Sequence, residues 1–192
     1  MKPLPALIFA VVFPLASFAH DIAVYARGEA YVVNATAPDL HTDDDRAFWN
    51  GFKQAVRDGM NLQATLPLIS PPEWGKTVSP RTRGQVDYRE SFPGGFLCHL
   101  RLSGLEPDKL YILTLNGNPN LPGNALLPTP VPGLEEERYY DFAFIETDAS
   151  GGFEANLGIK LPVGDYEPRI YVKDTEDFKI VLYRDYFPFT VE

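Results

Sequence analysis

Short runs of alternating apolar and polar residues fill the second half of the chain and are separated by Gly, Pro and Asp. The run from Phe96 to Leu102 is typical, because its apolar side chains occupy every second position and its polar positions include His99 and Arg101. Alternation with a period of two predicts half-buried β-strands. We predict strands in the stretches 84–90, 96–102, 109–115, 139–146, 153–159, 166–172 and 178–191. In the fourth of these, we expect Tyr140, Phe142 and Phe144 to share a face.

The pattern from 20 to 83 is less regular and includes one helical stretch. Residues 22–36 can supply one or two strands, and 61–66 can supply another. Between them, apolar side chains recur at the spacing of one helix face, at Phe48, Phe52, Ala55 and Val56. Thr42 begins this helix in the manner of a capping box, three aspartates follow it, and Gly59 is a natural terminator.

Two motifs carry a resemblance to a known architecture. The stretch LSGLEPDKLYILTL (102–115) resembles the region between strands B and C of fibronectin type III and related domains. The stretch LPVGDYEPRIYV (161–172) is similar to their corner between strands E and F, where a tyrosine, here Tyr166, bonds back to the chain just upstream. The resemblance implies a mostly β fold, an immunoglobulin- or fibronectin III-like β-sandwich over 84–192. We expect residues 20–83, with their one amphipathic helix, to pack on it.

The first nineteen residues are typical of an export signal. Lys2 is followed by an apolar run, and the small residues Ser17 and Ala19 precede the expected cleavage point. We therefore expect a secreted or periplasmic protein that begins at His20 and has no membrane span. The formal net charge of −9 disfavours nucleic acid as a partner.

Cys98 is the single cysteine, so the chain can form no internal disulfide and no Cys-rich zinc site. It belongs to the apolar face of its predicted strand, which disfavours a role as a nucleophile. The chain also lacks a G-x-S-x-G motif. These features favour a protein without catalytic activity of its own.

A histidine at a new N-terminus is nevertheless a candidate metal ligand. The α-amine and ring of His20 could hold copper if His99 or His41 supplied a second imidazole. Lytic polysaccharide monooxygenases are similar in general plan, since they are secreted, begin with histidine and build on an immunoglobulin-like sandwich. That resemblance implies copper and an oxidative activity on polysaccharide. Any residue can follow a cleavage site, however, and the alternative is that His20 simply begins an edge strand. Under that alternative we expect no cofactor.

The remaining candidates are binding residues. The loop 116–138 is far longer than an ordinary strand connection, and such loops are usually functional or disordered. Its Leu121, Leu126 and Leu127 could meet a partner or cover the sandwich. Trp49, Trp74, Tyr139 and Tyr171 fall where a polar face or a loop is predicted, and planar side chains there can stack on sugar rings or cover the core rim. Solvated charge is the default interpretation of the acidic clusters.

The sequence therefore favours a non-catalytic binding module that contacts a protein or carbohydrate through this loop and nearby aromatic residues. The alternative is a copper protein using His20 with His99 or His41.

Overall fold

The computed structural model describes residues 22–26, 29–33, 43–71, 73–117 and 139–192. In chain order, its elements are β1 (Ile22–Ala26), β2 (Glu29–Val33), α1 (Asp43–Arg57), β3 (Ala64–Leu68), β4 (Arg83–Tyr88), β5 (Ser91–Phe92), β6 (Gly95–Ser103), β7 (Leu110–Asn116), β8 (Tyr139–Glu146), β9 (Phe153–Lys160), β10 (Gly164–Tyr166), β11 (Arg169–Asp174), β12 (Ile180–Arg184) and β13 (Phe189–Val191). The prediction of a mostly β protein with one helix is confirmed for this part of the chain. The last two predicted strands are each divided, into β10 and β11 and into β12 and β13.

The strands form three sheets. The six-stranded sheet has the order β2-β1-β9-β6-β4-β3, the four-stranded sheet β12-β11-β7-β8, and the three-stranded sheet β10-β13-β5. Every strand pair among the described residues is antiparallel except β5 with β13. The segment 20–83 thus contributes β1, β2 and β3 to the large sheet, because β1 pairs with β9 and β3 pairs with β4.

Alternating side chains from the three sheets meet in the larger of two hydrophobic clusters in the described part of the chain. In β6, the apolar positions Phe96, Cys98, Leu100 and Leu102 are buried, as the alternation predicts. The same core includes Leu113 of β7 from the four-stranded sheet and Phe189 of β13 from the smallest sheet. Sheets that are apolar on one face reach stability by burying those faces against each other.

The inward face of β8 differs from the prediction. Ala143 and Ile145 belong to the core, whereas Phe144 lies on the opposite face and is half-buried. The register with β7 shifts between Leu115 and Asn116, and Tyr140 is the extra residue. A β-bulge of this kind reverses which positions face inward, so Tyr140 reaches the core together with Ala143.

Helix α1 ends at a Schellman motif and packs on the outer face of the six-stranded sheet. Gly59 adopts a φ of 81°, and the amide of Met60 donates to the carbonyl of Ala55 at 2.6 Å. Gly59 as helix terminator is therefore confirmed. Phe52 packs directly over Gly158, where a Cβ atom would lie 2.8 Å from the phenylalanine ring. Glycine at this position lets the helix approach the sheet closely.

Candidate functional site

An aromatic strip lies on the outer face of the four-stranded sheet. Val172 belongs to the core, so its neighbour Tyr171 points to the opposite side. Tyr171 is paired with Tyr183 across β11 and β12, and directly opposed residues share a face. We use the name aromatic strip for Trp74, Tyr183, Tyr171, Arg169 and Tyr186.

Trp74 reaches the strip from the proline-rich segment that follows β3. This segment is tied to β12 by reciprocal backbone hydrogen bonds of 3.0 and 2.9 Å between Ile69 and Tyr183. The amide of Lys76 donates to the carbonyl of Ile180 at 2.8 Å. The two attachments hold Trp74 over the sheet edge, where its ring meets Tyr183 at a centroid distance of 4.8 Å.

The contacts continue along the strip from ring to ring. The Tyr183 and Tyr171 centroids are 6.4 Å apart. The Arg169 guanidinium carbon lies 5.4 Å from the Tyr171 centroid and 5.9 Å from the Tyr186 centroid. A guanidinium near two aromatic rings gains cation–π attraction, so Arg169 links the two tyrosines.

The two ends of the strip are open to solvent, whereas its middle is covered. Trp74 is 54% exposed and Tyr186 is 44% exposed, while Tyr171 is buried. Burial raises the pKa of Tyr171, so its hydroxyl remains protonated and donates to Asp185 Oδ1 at 3.1 Å. An exposed carboxylate and a guanidinium thus accompany the exposed rings, and together they can bind a ligand through both apolar and polar contacts.

The predicted binding residues are in different environments. Trp74 is exposed as expected, but Trp49 is only 7% exposed and packs against Phe48 and Phe52 beneath α1. The expectation of an exposed Trp49 does not match the structure, because the apolar stripe of the helix is wide enough to include it. Tyr171 is likewise buried. Leu121, Leu126 and Leu127 lie outside the described residues.

Tyr183, Tyr186 and Arg169 were not among the predicted binding residues. The tyrosines stand in the stretch YRDYFPF, whose density of aromatic residues is the sequence signal that points to them. Nothing in the local pattern of Arg169 distinguishes it from an ordinary solvated arginine, since its role depends on the two rings that flank it.

His99 belongs to a separate polar patch on the outer face of the six-stranded sheet. Its Nδ1 lies 2.7 Å from Asn156 Oδ1, and its Nε2 lies 3.0 Å from Glu154 Oε1. The side chain is 23% exposed. Both ring nitrogens therefore face oxygen acceptors, whereas a metal ligand needs a free lone pair on one of them.

Asp87 anchors the neighbouring part of this polar patch. It accepts hydrogen bonds from Thr65 Oγ1 at 2.6 Å, Gln85 Nε2 at 2.7 Å and Arg101 Nη2 at 2.5 Å. Although partial burial opposes ionisation, the hydrogen bonds from Thr65 and Gln85 and the charge of Arg101 lower the pKa of Asp87. The arrangement is an ordered ionic surface whose hydrogen-bonding groups largely satisfy one another.

Two of the three predicted copper ligands, His20 and His41, lie outside the described residues. Ile22 at the start of β1 is opposite Ile159, which is opposite Phe96 on β6. Ile22 is therefore two strand spacings from Phe96, and His99 is three residues further along β6. Together these separations place the backbone of Ile22 about 14 Å from the backbone of His99. No group of three or more His, Cys, Asp or Glu side chains in the described ranges could hold a metal ion.

The Cys98 thiol is an inert part of the core. It is buried, and burial raises the pKa of the thiol well above its usual range. Only a thiolate is an effective nucleophile or metal ligand, so its environment keeps Cys98 unreactive.

The described chain is thus a mostly β protein of largely antiparallel sheets that carries an aromatic strip with exposed ends. Comparison with protein-family models, curated proteins and solved structures finds no match for it. Among its described residues, no helix has both the length and the apolar character needed to cross a bilayer.

Proposed function

We propose that the protein is a secreted or periplasmic binding module without catalysis of its own, and that it contacts a protein or glycan partner through the aromatic strip. The observation that carries the proposal is the exposed Trp74 ring, held over Tyr183 by a segment tied to β12. Large rigid aromatic side chains lose little conformational entropy when they bind, and they are enriched in binding hot spots. The typical export signal in 1–19 supports the location.

The proposal includes an immunoglobulin- or fibronectin III-like sandwich as the scaffold. Strands β4, β6 and β9 are adjacent in the order expected for A, B and E, and β7, β11 and β12 in the order expected for C, F and G. Tyr166 donates its hydroxyl hydrogen to the carbonyl of Pro162 at 2.6 Å, as a tyrosine corner does. In such a scaffold, the strip lies on the sheet formed by C, F and G.

The test compares Trp74→Ala with Val163→Ala, a control at an exposed position in the turn before β10. Each mature variant is immobilised and exposed to soluble cell-envelope proteins and to insoluble polysaccharides. We expect Trp74→Ala to lose the partner that wild type and Val163→Ala retain. Equal capture by all three proteins would refute a role for the strip. Deletion of 119–132, which removes the three loop leucines, tests whether the loop adds a second contact.

The second candidate is a copper site that uses His20 with His99 or His41. The observation in its favour is that the His99 imidazole reaches the surface of the sheet that contains β1. For this site to form, the chain ahead of Ile22 would have to span the distance of about 14 Å to His99. One ring nitrogen of His99 would also have to break its hydrogen bond with Asn156 or Glu154.

Copper(II) titration distinguishes the two candidates. Mature protein with His20 first is compared with protein carrying one extra alanine ahead of it, by affinity and by electron paramagnetic resonance. Tight binding that is lost on extension supports the copper site. Equal and weak binding by both forms refutes it.

A further inference from the structure

The dimensions of the aromatic strip restrict what can bind to it. Its consecutive contacts are ring-to-ring or ring-to-cation steps of 4.8–6.4 Å, and its exposed rings, Trp74 and Tyr186, lie at its two ends. A stable protein interface buries about 800 Å² on each partner, with a broad apolar centre. Two exposed rings at the ends of a row fit an extended ligand better than the broad apolar centre of a protein partner.

The polar groups beside the rings suit hydroxyl groups. Arg169 is positioned by the faces of Tyr171 and Tyr186 and by a hydrogen bond that its side chain donates to the Tyr171 hydroxyl. A guanidinium presents donors in a fixed plane, and the neighbouring Asp185 carboxylate presents acceptors. Vicinal hydroxyls of a sugar can both donate and accept, so they can pair with both groups, while the C–H face of the ring stacks on an aromatic side chain.

Tyr186 shows that the strip is built at some conformational cost. Its φ is 44°, in the left-handed region that bulky residues rarely adopt. Strained backbone of this kind persists where the surrounding structure imposes it, and it is concentrated at functional sites. Here it accompanies a 44% exposed ring beside Arg169.

The charge of the chain selects among sugars. A formal net charge of −9 repels polyanions, and at the strip itself the negative charge of Asp185 offsets the positive charge of Arg169. Sulfated glycans and polymers of uronic acids are therefore disfavoured relative to uncharged ones.

We infer that the aromatic strip binds a neutral, linear polysaccharide, with pyranose rings on Trp74 and Tyr186 and with Arg169 and Asp185 bonded to hydroxyls between them. This inference rests on the proposed binding function and names its ligand class.

The experiment is affinity electrophoresis in gels that contain mixed-linkage β-glucan, xyloglucan or galactomannan, with alginate as the acidic comparison. Wild type, Trp74→Ala, Trp74→Phe, Tyr186→Ala and Val163→Ala are run together, and circular dichroism checks that each is folded. We expect at least one neutral polymer to retard wild type and Val163→Ala equally. Trp74→Ala should bind about tenfold more weakly, with partial recovery in Trp74→Phe, because the exposed ring face supplies the stacking area.

Three outcomes would overturn the inference: no retardation of wild type by any neutral polymer, equal retardation of Trp74→Ala, or retardation by alginate alone. The protein capture assay then separates the two proposals. Capture of a protein in a manner that depends on Trp74, without polysaccharide binding, overturns the glycan ligand and preserves the binding module. If neither kind of binding depends on Trp74, both proposals fall.

Discussion

The strongest test of the fold energetics is removal of the Asp174 carboxylate at the end of β11. Asp174 is 0% exposed, and its Oδ2 accepts from Lys76 Nζ at 2.5 Å and from Lys109 Nζ at 3.0 Å. Its Oδ1 accepts from the amide of Glu176 at 2.8 Å. Substitution Asp174→Ala therefore removes the common partner of two lysines and leaves a backbone donor without its acceptor.

The expected loss of unfolding free energy is about 3 kcal/mol. Breaking a buried ion pair by removing one partner typically costs 3–5 kcal/mol, because the other charge stays buried. Lys109 and Lys76 are 12% and 28% exposed, and each keeps a second carboxylate, Glu106 at 3.1 Å and Asp177 at 3.8 Å, so the lower end of that range applies. For a domain of this size, about 3 kcal/mol corresponds to a fall in Tm of roughly 6–12 °C.

The pH dependence of this loss has a defined sign. Although burial opposes ionisation, hydrogen bonds from Lys76, Glu176 and Lys109 lower the pKa of Asp174 below its ordinary 3.8. Its contribution is therefore present above pH 3.8 and disappears as the pH falls through the lower folded pKa. Burial also opposes the charge of Lys109, but its bonds to Asp174 and Glu106 raise the pKa above the ordinary 10.5, so that contribution is lost only in stronger base. The difference between wild type and Asp174→Ala should be constant between about pH 5 and pH 9 and should narrow in acid.

The assay is urea unfolding followed by circular dichroism, with Asp177→Ala as the matched control. Asp177 lies 3.8 Å from the same Lys76 nitrogen but is 38% exposed, so its loss should cost less than about 1 kcal/mol. The reasoning is refuted if Asp174→Ala is no more destabilising than Asp177→Ala, or if its effect is unchanged well below pH 3.8.

Three further substitutions or measurements test other parts of the structure. Gly158→Ala should destabilise the fold by about 1–3 kcal/mol in thermal unfolding, because its Cβ would lie 2.8 Å from Phe52; an unchanged Tm would contradict the close packing of α1. Tyr166→Phe should lose about 1 kcal/mol, since the hydroxyl bond to Pro162 at 2.6 Å disappears while the ring remains, and urea unfolding measures it; no loss would mean that the corner contributes only packing. Cys98 should react with a thiol reagent only when the protein unfolds, so rapid labelling of the native protein would show that its burial is not maintained in solution.

Several elements of this protein follow from local spacing alone. Alternation of apolar and polar residues identified β6 and β9, apolar residues at helical spacing identified α1, and Gly59 marked the end of the helix. Each of these signals depends only on neighbours along the chain. The prediction failed where pairing between strands intervened. The bulge where β8 pairs with Leu115 and Asn116 changed which positions of β8 face the core. The sequence of β8 by itself does not determine its register with β7.

Only the tertiary structure decided which aromatic residues can meet a ligand. Trp49 and Trp74 looked equivalent in the sequence. Trp49, however, lies on the buried face of α1, the helix that packs over Gly158, whereas Trp74 lies over Tyr183 at the edge of a sheet. The strip joins side chains from β11, β12 and two connecting segments, so its continuity depends on strand order and on the bond between Ile69 and Tyr183. The spacing of apolar side chains determines whether a segment forms a helix or a strand. The exposure and the contacts of each side chain depend on the segments that pack against it, and these are fixed only in the tertiary structure.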